Sequence, residues 1–214
     1  MTVSKENIAD NFSKSSSSYS EHAFVQKRAA ETLFEMLDRL PSAPKKIIEI
    51  GCGTGFLTKK LFTKFPDASF TVCDLSEKMI ERCKSENSAF QGNVEYKACD
   101  ALEILSEQGT YDLAVSALAF QWLEESFPSV IAKIYERLAP GGVLAFSTLT
   151  SNTFGKLKEA FKAAGSDFPG PELYDASEIK FICSVFEKAS FYQETEIADF
   201  ATPVNFLRHI KKTG

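Results

Sequence analysis

An α/β fold, doubly wound around a mostly parallel sheet with helices on both faces, is what this 214-residue sequence predicts. Two observations carry the prediction. Short apolar runs alternate with longer amphipathic segments from Lys46 to Leu149, the pattern of β-α-β units. The first apolar run, Ile47-Ile48-Glu49-Ile50, breaks into Gly51-x-Gly53-x-Gly55 and resumes as an amphipathic segment, which reads as strand, tight turn and helix. Glycine has no Cβ and tolerates positive φ, so such a turn lets a ligand approach the backbone at the positive end of a helix.

The elements follow in order. Residues 1–18 are polar, with the run Ser15-Ser16-Ser17-Ser18. Ala23, Ala30, Leu33, Phe34 and Leu37 keep helical spacing, predicting a helix over 19–40 that ends in the loop Pro41-Ser42-Ala43-Pro44. Strands are expected at 46–50, 69–73, 94–98, 111–116 and 143–149, with helices at 56–65, 77–84 and 127–138. Ser76 marks one helix start, and Pro140-Gly141-Gly142 reads as a turn that stops a helix. Beyond Leu149 the pattern is less regular and predicts helices at 153–164, 177–186 and 203–212 and a strand at 192–200. We expect a single domain over 1–214, made of an N-terminal segment (1–40), a ligand-binding core (45–150) and a C-terminal segment (151–214).

The glycine turn departs from the dinucleotide fingerprint Gly-x-Gly-x-x-Gly because its third glycine comes one residue early, which argues against a pyrophosphate-binding turn. The next apolar run, Phe70-Thr71-Val72-Cys73, ends in Asp74, near where a nucleotide fold places a ribose-binding carboxylate. In open parallel sheets ligands bind beyond the carboxyl ends of the strands, where Gly51, Asp74, Asp100 and Ala117 to Trp122 would gather.

Composition narrows the function classes. Apolar residues make up 44% and charged residues 25% of the chain, as in an ordinary globular protein. No apolar run reaches membrane-spanning length. With a polar N-terminus, a cytoplasmic protein without membrane attachment is expected. A net charge of −5 argues against nucleic acid as a partner. The five cysteines (Cys52, Cys73, Cys83, Cys99, Cys183) are odd in number and form no Cys-x-x-Cys pair, and only His22 and His209 are available, so neither a disulfide framework nor a metal site is expected.

With Glu49-Ile50-Gly51-Cys52-Gly53-Thr54-Gly55, Asp74-Leu75-Ser76 and Leu138-Ala139-Pro140-Gly141-Gly142 in collinear order, the chain resembles the class I S-adenosylmethionine-dependent methyltransferases. Within them, Phe12-Ser13-Lys14, Tyr19-Ser20-Glu21-His22-Ala23, Val25-Gln26, Ala119-Phe120-Gln121-Trp122, Phe146-Ser147-Thr148-Leu149 and Leu207-Arg208-x-x-Lys211 are similar to the malonyl-acyl-carrier-protein O-methyltransferases of biotin synthesis. The resemblance runs from about residue 8 to the last residue.

It implies a Rossmann-like sheet and a helical lid in the leading segment, with Tyr19 and His22 facing the pocket. It also implies a further antiparallel strand near the C-terminus, which is not expected before Gly214 and whose absence would leave sheet edges unpaired. The implied cofactor is S-adenosylmethionine. The glycine-turn backbone would take its carboxylate end, Asp74 both ribose hydroxyls, Asp100 with Ala101 the adenine edge, and Leu75 and Met79 the adenine faces; Glu49 and Ala117 complete the cofactor-binding set. Phe120 or Trp122 lies either near the sulfonium, where a ring face attracts a cation, or in the core.

The implied acceptor is the free carboxylate of a malonyl thioester on acyl carrier protein or coenzyme A. A carboxylate is already ionised at neutral pH, so no general base is required, and Tyr19 and Gln121 are the expected orienting groups. The carrier is expected to be strongly acidic, so cations should cluster at the pocket mouth; Lys27, Arg28, Arg208, His209, Lys211 and Lys212 are the candidates. The alternatives are a methyltransferase for another small acid or a quinone precursor, and an inactive cofactor-binding protein.

Overall fold

Ile47, Ile48 and Ile50 are almost completely buried, as a strand covered on both faces requires. They belong to β1 (Lys46–Ile50), the middle member of a five-stranded sheet in a computed structural model that describes Asp10, Phe12, Ser13 and residues 23–123 and 126–213. The strands β1, β2 (Ser69–Asp74), β3 (Val94–Ala98), β4 (Tyr111–Ala117) and β5 (Leu138–Ser147) are ordered β3-β2-β1-β4-β5 and pair only in parallel.

Alternate residues face opposite layers. Ile47, Val72, Leu113 and Val115 pack with α1 (Phe24–Met36), α2 (Phe56–Lys64) and α3 (Glu77–Glu86) through Leu33, Leu61, Phe62 and Ile80. Ile48, Ile50 and Ala114 pack on the other face with α4 (Ala101–Ile104), α5 (Phe127–Arg137) and α7 (Ala176–Ile182). Two further helices are α6 (Gly155–Ala163) and α8 (Pro203–Thr213). Burial of each large aliphatic side chain contributes about 1.5–3 kcal/mol, which makes the two layers the main stabilising term.

Because β1 leads to β2 on one side and its other neighbour is β4, the chain reverses direction between β1 and β4. The loops leaving these strands diverge there and open a crevice, the usual ligand position in such sheets. At the opposite end the Asp112 carboxylate accepts from the amides of Lys45 and Lys46 at 2.8 and 3.0 Å and fixes where β1 and β4 begin. Helices α1 and α2 run side by side: Lys27 lies over the Phe56 ring at 5.9 Å near the crevice, and Lys64 binds Asp38 at the far end.

Three expectations are corrected. The segment 192–200 is not a strand; it is irregular and leaves Tyr192 62% and Ile197 78% exposed. Its alternation describes two faces but supplies no neighbour, and β5 pairs only with β4 among the described residues. The Pro140-Gly141-Gly142 turn lies inside β5 as an irregularity in its register with Tyr111 and Leu113, and a Cβ on Gly142 would stand 2.9 Å from the Tyr111 and Ala139 carbonyl oxygens. Within the described part of 19–40 the helix covers Phe24–Met36 and tightens into a 3-10 turn at Leu37–Arg39 before Leu40. Asp10, Phe12 and Ser13 are helical, in keeping with a helical leading segment.

Candidate active site

The glycine turn after β1 is held from three sides. The amides of Gly51 and Cys52 donate to the Cys73 carbonyl at 2.8 and 3.0 Å, and Gly53 donates to Asp74 Oδ2 at 2.9 Å. Gly51 has a positive φ, and a Cβ there would lie 2.3 Å from the Ala119 Cβ, so only glycine lets the loops after β1 and β4 meet. Gly53 also has positive φ, but a Cβ on it would meet nothing within 4 Å. Gly55 backs onto Asn87 and Cys83, and the buried Asn87 amide donates to the Gly55 carbonyl at 3.3 Å.

The amides of Gly51, Cys52, Gly53 and Gly55 are therefore all engaged inside the protein, since Gly55 donates to the Cys52 carbonyl at 3.0 Å. This revises the expectation that the turn itself receives the carboxylate end. The donors on offer at that point are those of the first turn of α2, which have no partner within their helix.

Asp74 ends β2 half-buried, with Oδ1 accepting from Ser76 N and Oδ2 from Gly53 N, both at 2.9 Å. Burial raises its carboxyl above its usual range, and the two amides oppose that shift. Each oxygen retains a lone pair for a further donor. Leu75, beside it, is 36% exposed, whereas Met79 is 1% exposed, so Leu75 alone of the pair offers open surface. Asp100 caps α4 through the Leu102 amide at 2.9 Å; Cys99 N donates to the Asp74 carbonyl at 3.0 Å and draws this loop alongside, with Ala101 buried beneath it.

Glu49 is the site's electrostatic anomaly. It is 2% exposed, and its Oε2 has no hydrogen-bond partner among the described residues. Burial, then the nearby Cys83 and Asp74, hold its carboxyl well above the ordinary value, against a hydrogen bond from Thr58. A buried acceptor without a partner is costly, and its place beneath the glycine turn beside Asp74 offers a cation a ready partner.

On the β4 side, Ser116 donates to the Ile50 carbonyl at 2.8 Å, holding the two strand ends together next to the half-buried Ala117. Leu118 follows with φ +48°, a conformation that stores strain, and its amide donates to Ser147 Oγ and the Ser147 carbonyl. This turn inserts Gln121, which is 9% exposed; its Nε2 donates to the Leu118 carbonyl at 2.5 Å, and its Oε1 has no partner among the described residues. Gln121 lines a narrow cleft with Phe127, Thr148 and Tyr174. Phe120 packs against Phe127 and Phe146 in the core, which decides its role, whereas Trp122 meets the Phe12 ring edge-on at 5.5 Å.

Phe12 and Ser13 thus tie the leading segment across the crevice: Phe12 holds the loop after β4, and Ser13 Oγ lies 2.8 Å from Ser76 Oγ in the loop after β2. Tyr19 and His22 lie outside the described residues. Sequence reasoning missed Asn87 and the Ser13–Ser76 contact: a polar residue at a helix cap signals Asn87 and Ser76, and Ser13 stands in a quoted motif, but neither signal says what the side chain reaches.

Residues 47–142 match the family model of a methyltransferase domain. The malonyl-[acyl-carrier protein] O-methyltransferase of Acetivibrio thermocellus is 34% identical over 99% of this chain and 79% of its own length. The chain belongs to this methyltransferase family. The fold of the N-methyltransferase NodS from Bradyrhizobium japonicum superposes with a TM-score of 0.57 at 24% identity, covering 76% of this chain and 83% of that one. The plantazolicin methyltransferase BpumL, solved with S-adenosylhomocysteine, does so at 0.52 and 21% identity, over 71% of this chain and 56% of that one. The crevice fits the chemistry of an S-adenosylmethionine donor on its own evidence: a buried unpartnered carboxylate oxygen, a second acid at the end of β2, and free space above Gly53.

Among the described residues no cluster of metal-ligating side chains occurs, and no helix is long and apolar enough to cross a membrane.

Proposed function

We propose that this methyltransferase esterifies the free carboxylate of a malonyl thioester carried by acyl carrier protein or coenzyme A, an early step of biotin synthesis, and that residues 1–214 act in it as one domain. The observation that carries the reading is the Glu49–Gly53–Asp74 group at the crevice where Gly51 meets Ala119, in the loop that leads to Gln121, under a leading segment tied to both sides. The name of the Acetivibrio thermocellus relative supplies the acceptor.

In this reading the donor supplies an electrophilic methyl on a sulfonium. Asp74 accepts from the ribose hydroxyls, Glu49 takes the ammonium, the first turn of α2 faces the carboxylate end, and Leu75, Asp100 and Ala101 border the adenine. Gln121 Nε2, turned from the Leu118 carbonyl, orients the acyl carboxylate, with Tyr19 as a second orienting group. No side chain removes a proton, because the acceptor is ionised at neutral pH. The protein aligns the reactants and excludes water through Phe12, Trp122 and the core aromatics beneath, an effect that supplies roughly 7–11 kcal/mol when geometry is near ideal.

The test is incubation with methyl-labelled donor and malonyl-carrier protein, malonyl coenzyme A, free malonate or a quinone precursor. Label on the malonyl thioesters alone is the expected result. Label on free malonate or the quinone precursor assigns a different acceptor, and donor binding without transfer to any acceptor makes the chain an inactive binding protein.

A further inference from the structure

Three buried side-chain oxygens have no hydrogen-bond partner among the described residues: Gln26 Oε1, Glu49 Oε2 and Gln121 Oε1. Glu49 and Gln121 belong to the crevice already described, whereas Gln26 stands on α1. A bare acceptor inside a protein is unfavourable unless something arrives to donate to it.

The course of α1 places Gln26 at the same crevice. The buried stripe of this segment is Ala23, Ala30, Leu33 and Leu37, of which the last three pack with Ile47 and Val115 on one face of the sheet. Gln26 falls on that stripe by helical spacing, half-buried, about 6 Å nearer the start of the helix than Ala30. That start is the crevice end, since Lys27 lies over Phe56, the residue after the glycine turn, while Lys64 meets Asp38 at the other end. Glu49 faces the same layer: it is two residues beyond Ile47 on one face of β1, and it is hydrogen-bonded to Thr58 of α2. With α1 packed beside α2 and over β4 and β5, Gln26 and Glu49 approach the ends of β1 and β4 from the same side.

Packing alone does not call for an amide at this position. The other members of the stripe are alanine and leucine, and an apolar side chain would cover the sheet without leaving an oxygen bare. A departure from an otherwise consistent pattern marks function. Both unpartnered oxygens accept, one of them on a carboxyl group, so the ligand group that completes the pair is a cation with several N–H donors, an ammonium.

We infer that Gln26 is a further donor-binding residue: its Oε1, together with Glu49, accepts from the ammonium of the donor's amino-acid end, a role that rests on the S-adenosylmethionine donor proposed above. The first helix then grips the donor as well as covering the crevice.

The test is calorimetry on the full chain with S-adenosylhomocysteine, its analogue lacking the α-amino group, and 5′-methylthioadenosine, which lacks the whole amino-acid end. Gln26→Met keeps the length of the side chain and removes its oxygen. It is expected to weaken S-adenosylhomocysteine about tenfold, the loss of one hydrogen bond to a charged group, and to leave the other two ligands within about twofold. The melting temperature of the ligand-free variant should hold or rise, because a bare buried acceptor has gone. Gln26→Glu retains an acceptor and should keep S-adenosylhomocysteine to within about threefold. Unchanged S-adenosylhomocysteine affinity in Gln26→Met overturns the inference, and so do equal losses for all three ligands with a lowered melting temperature, the mark of a residue that only packs. A wild-type chain that binds the deaminated analogue as tightly as S-adenosylhomocysteine overturns it without any variant and leaves the donor reading standing. A wild-type chain that binds none of the three overturns the donor reading and this role with it.

Discussion

Asp74 is held by two backbone amides before any ligand arrives, one from the glycine turn and one from the start of α3. It therefore positions the turn as well as offering acceptors to a diol. Asp74→Asn removes the charge and turns an amide donor toward one of those N–H groups; we expect S-adenosylhomocysteine affinity to fall by about 1.5–3 kcal/mol in calorimetry. Unchanged affinity would remove Asp74 from the site. Glu49 gives a second prediction. Its folded-state carboxyl titrates well above 4.5, so its contribution to stability is present below that ordinary value and is lost as pH rises through the raised one. In ligand-free denaturation curves the wild type should therefore lose stability relative to Glu49→Gln as pH increases from about 4.5, whereas a constant difference would mean that Glu49 ionises freely. At this scale the glycines and Asp74 were legible because backbone geometry restricts residue type. Asn87 was not, because its reach to Gly55 depends on how α3 docks against the turn.

Among elements, the turn between β1 and α2 separates structural from ligand-facing glycine. Gly51→Ala places a Cβ 2.3 Å from Ala119 on a residue of positive φ. We expect that variant to destabilise the fold by roughly 2–4 kcal/mol, from strain and overpacking together. At Gly53 the added methyl faces open space. Gly53→Ala therefore costs only the backbone strain of a left-handed residue, roughly 1–2 kcal/mol. It should fold and lose donor affinity, so melting curves and calorimetry should rank the two variants in opposite order; equal donor affinity in Gly53→Ala would mean that no ligand approaches that space. The leading segment is the other element with a direct test. With Phe12 on Trp122 and Ser13 on Ser76, the double substitution Phe12→Ala/Ser13→Ala should raise the stopped-flow dissociation rate of S-adenosylhomocysteine several-fold, and an unchanged rate would show that the tie does not restrain the ligand. Apolar runs located the central strands, which are buried on both faces, and alternation located the edge strand β3, whose Glu95 and Ala98 are exposed, whereas β5 begins at Leu138, ahead of the apolar run from Val143. Periodicity failed at 192–200, where alternation was present without a neighbouring strand to bond.

For the molecule as a whole, the reversal of strand order between β1 and β4 creates the crevice, and the collinear motifs between Glu49 and Gly142 were sufficient to predict it. The position of α8 was not predictable in the same way, because it depends on ring contacts between Phe24, Phe154, Phe206 and His209 that lie far apart in sequence. The most direct test of the account is a crystal structure of the chain with S-adenosylhomocysteine bound. The account predicts the ribose hydroxyls on Asp74, the ammonium on Glu49 and the ligand filling the space above Gly53. A ligand bound away from the β1–β4 crevice, or one that leaves Glu49 Oε2 and Asp74 without contact, would contradict it.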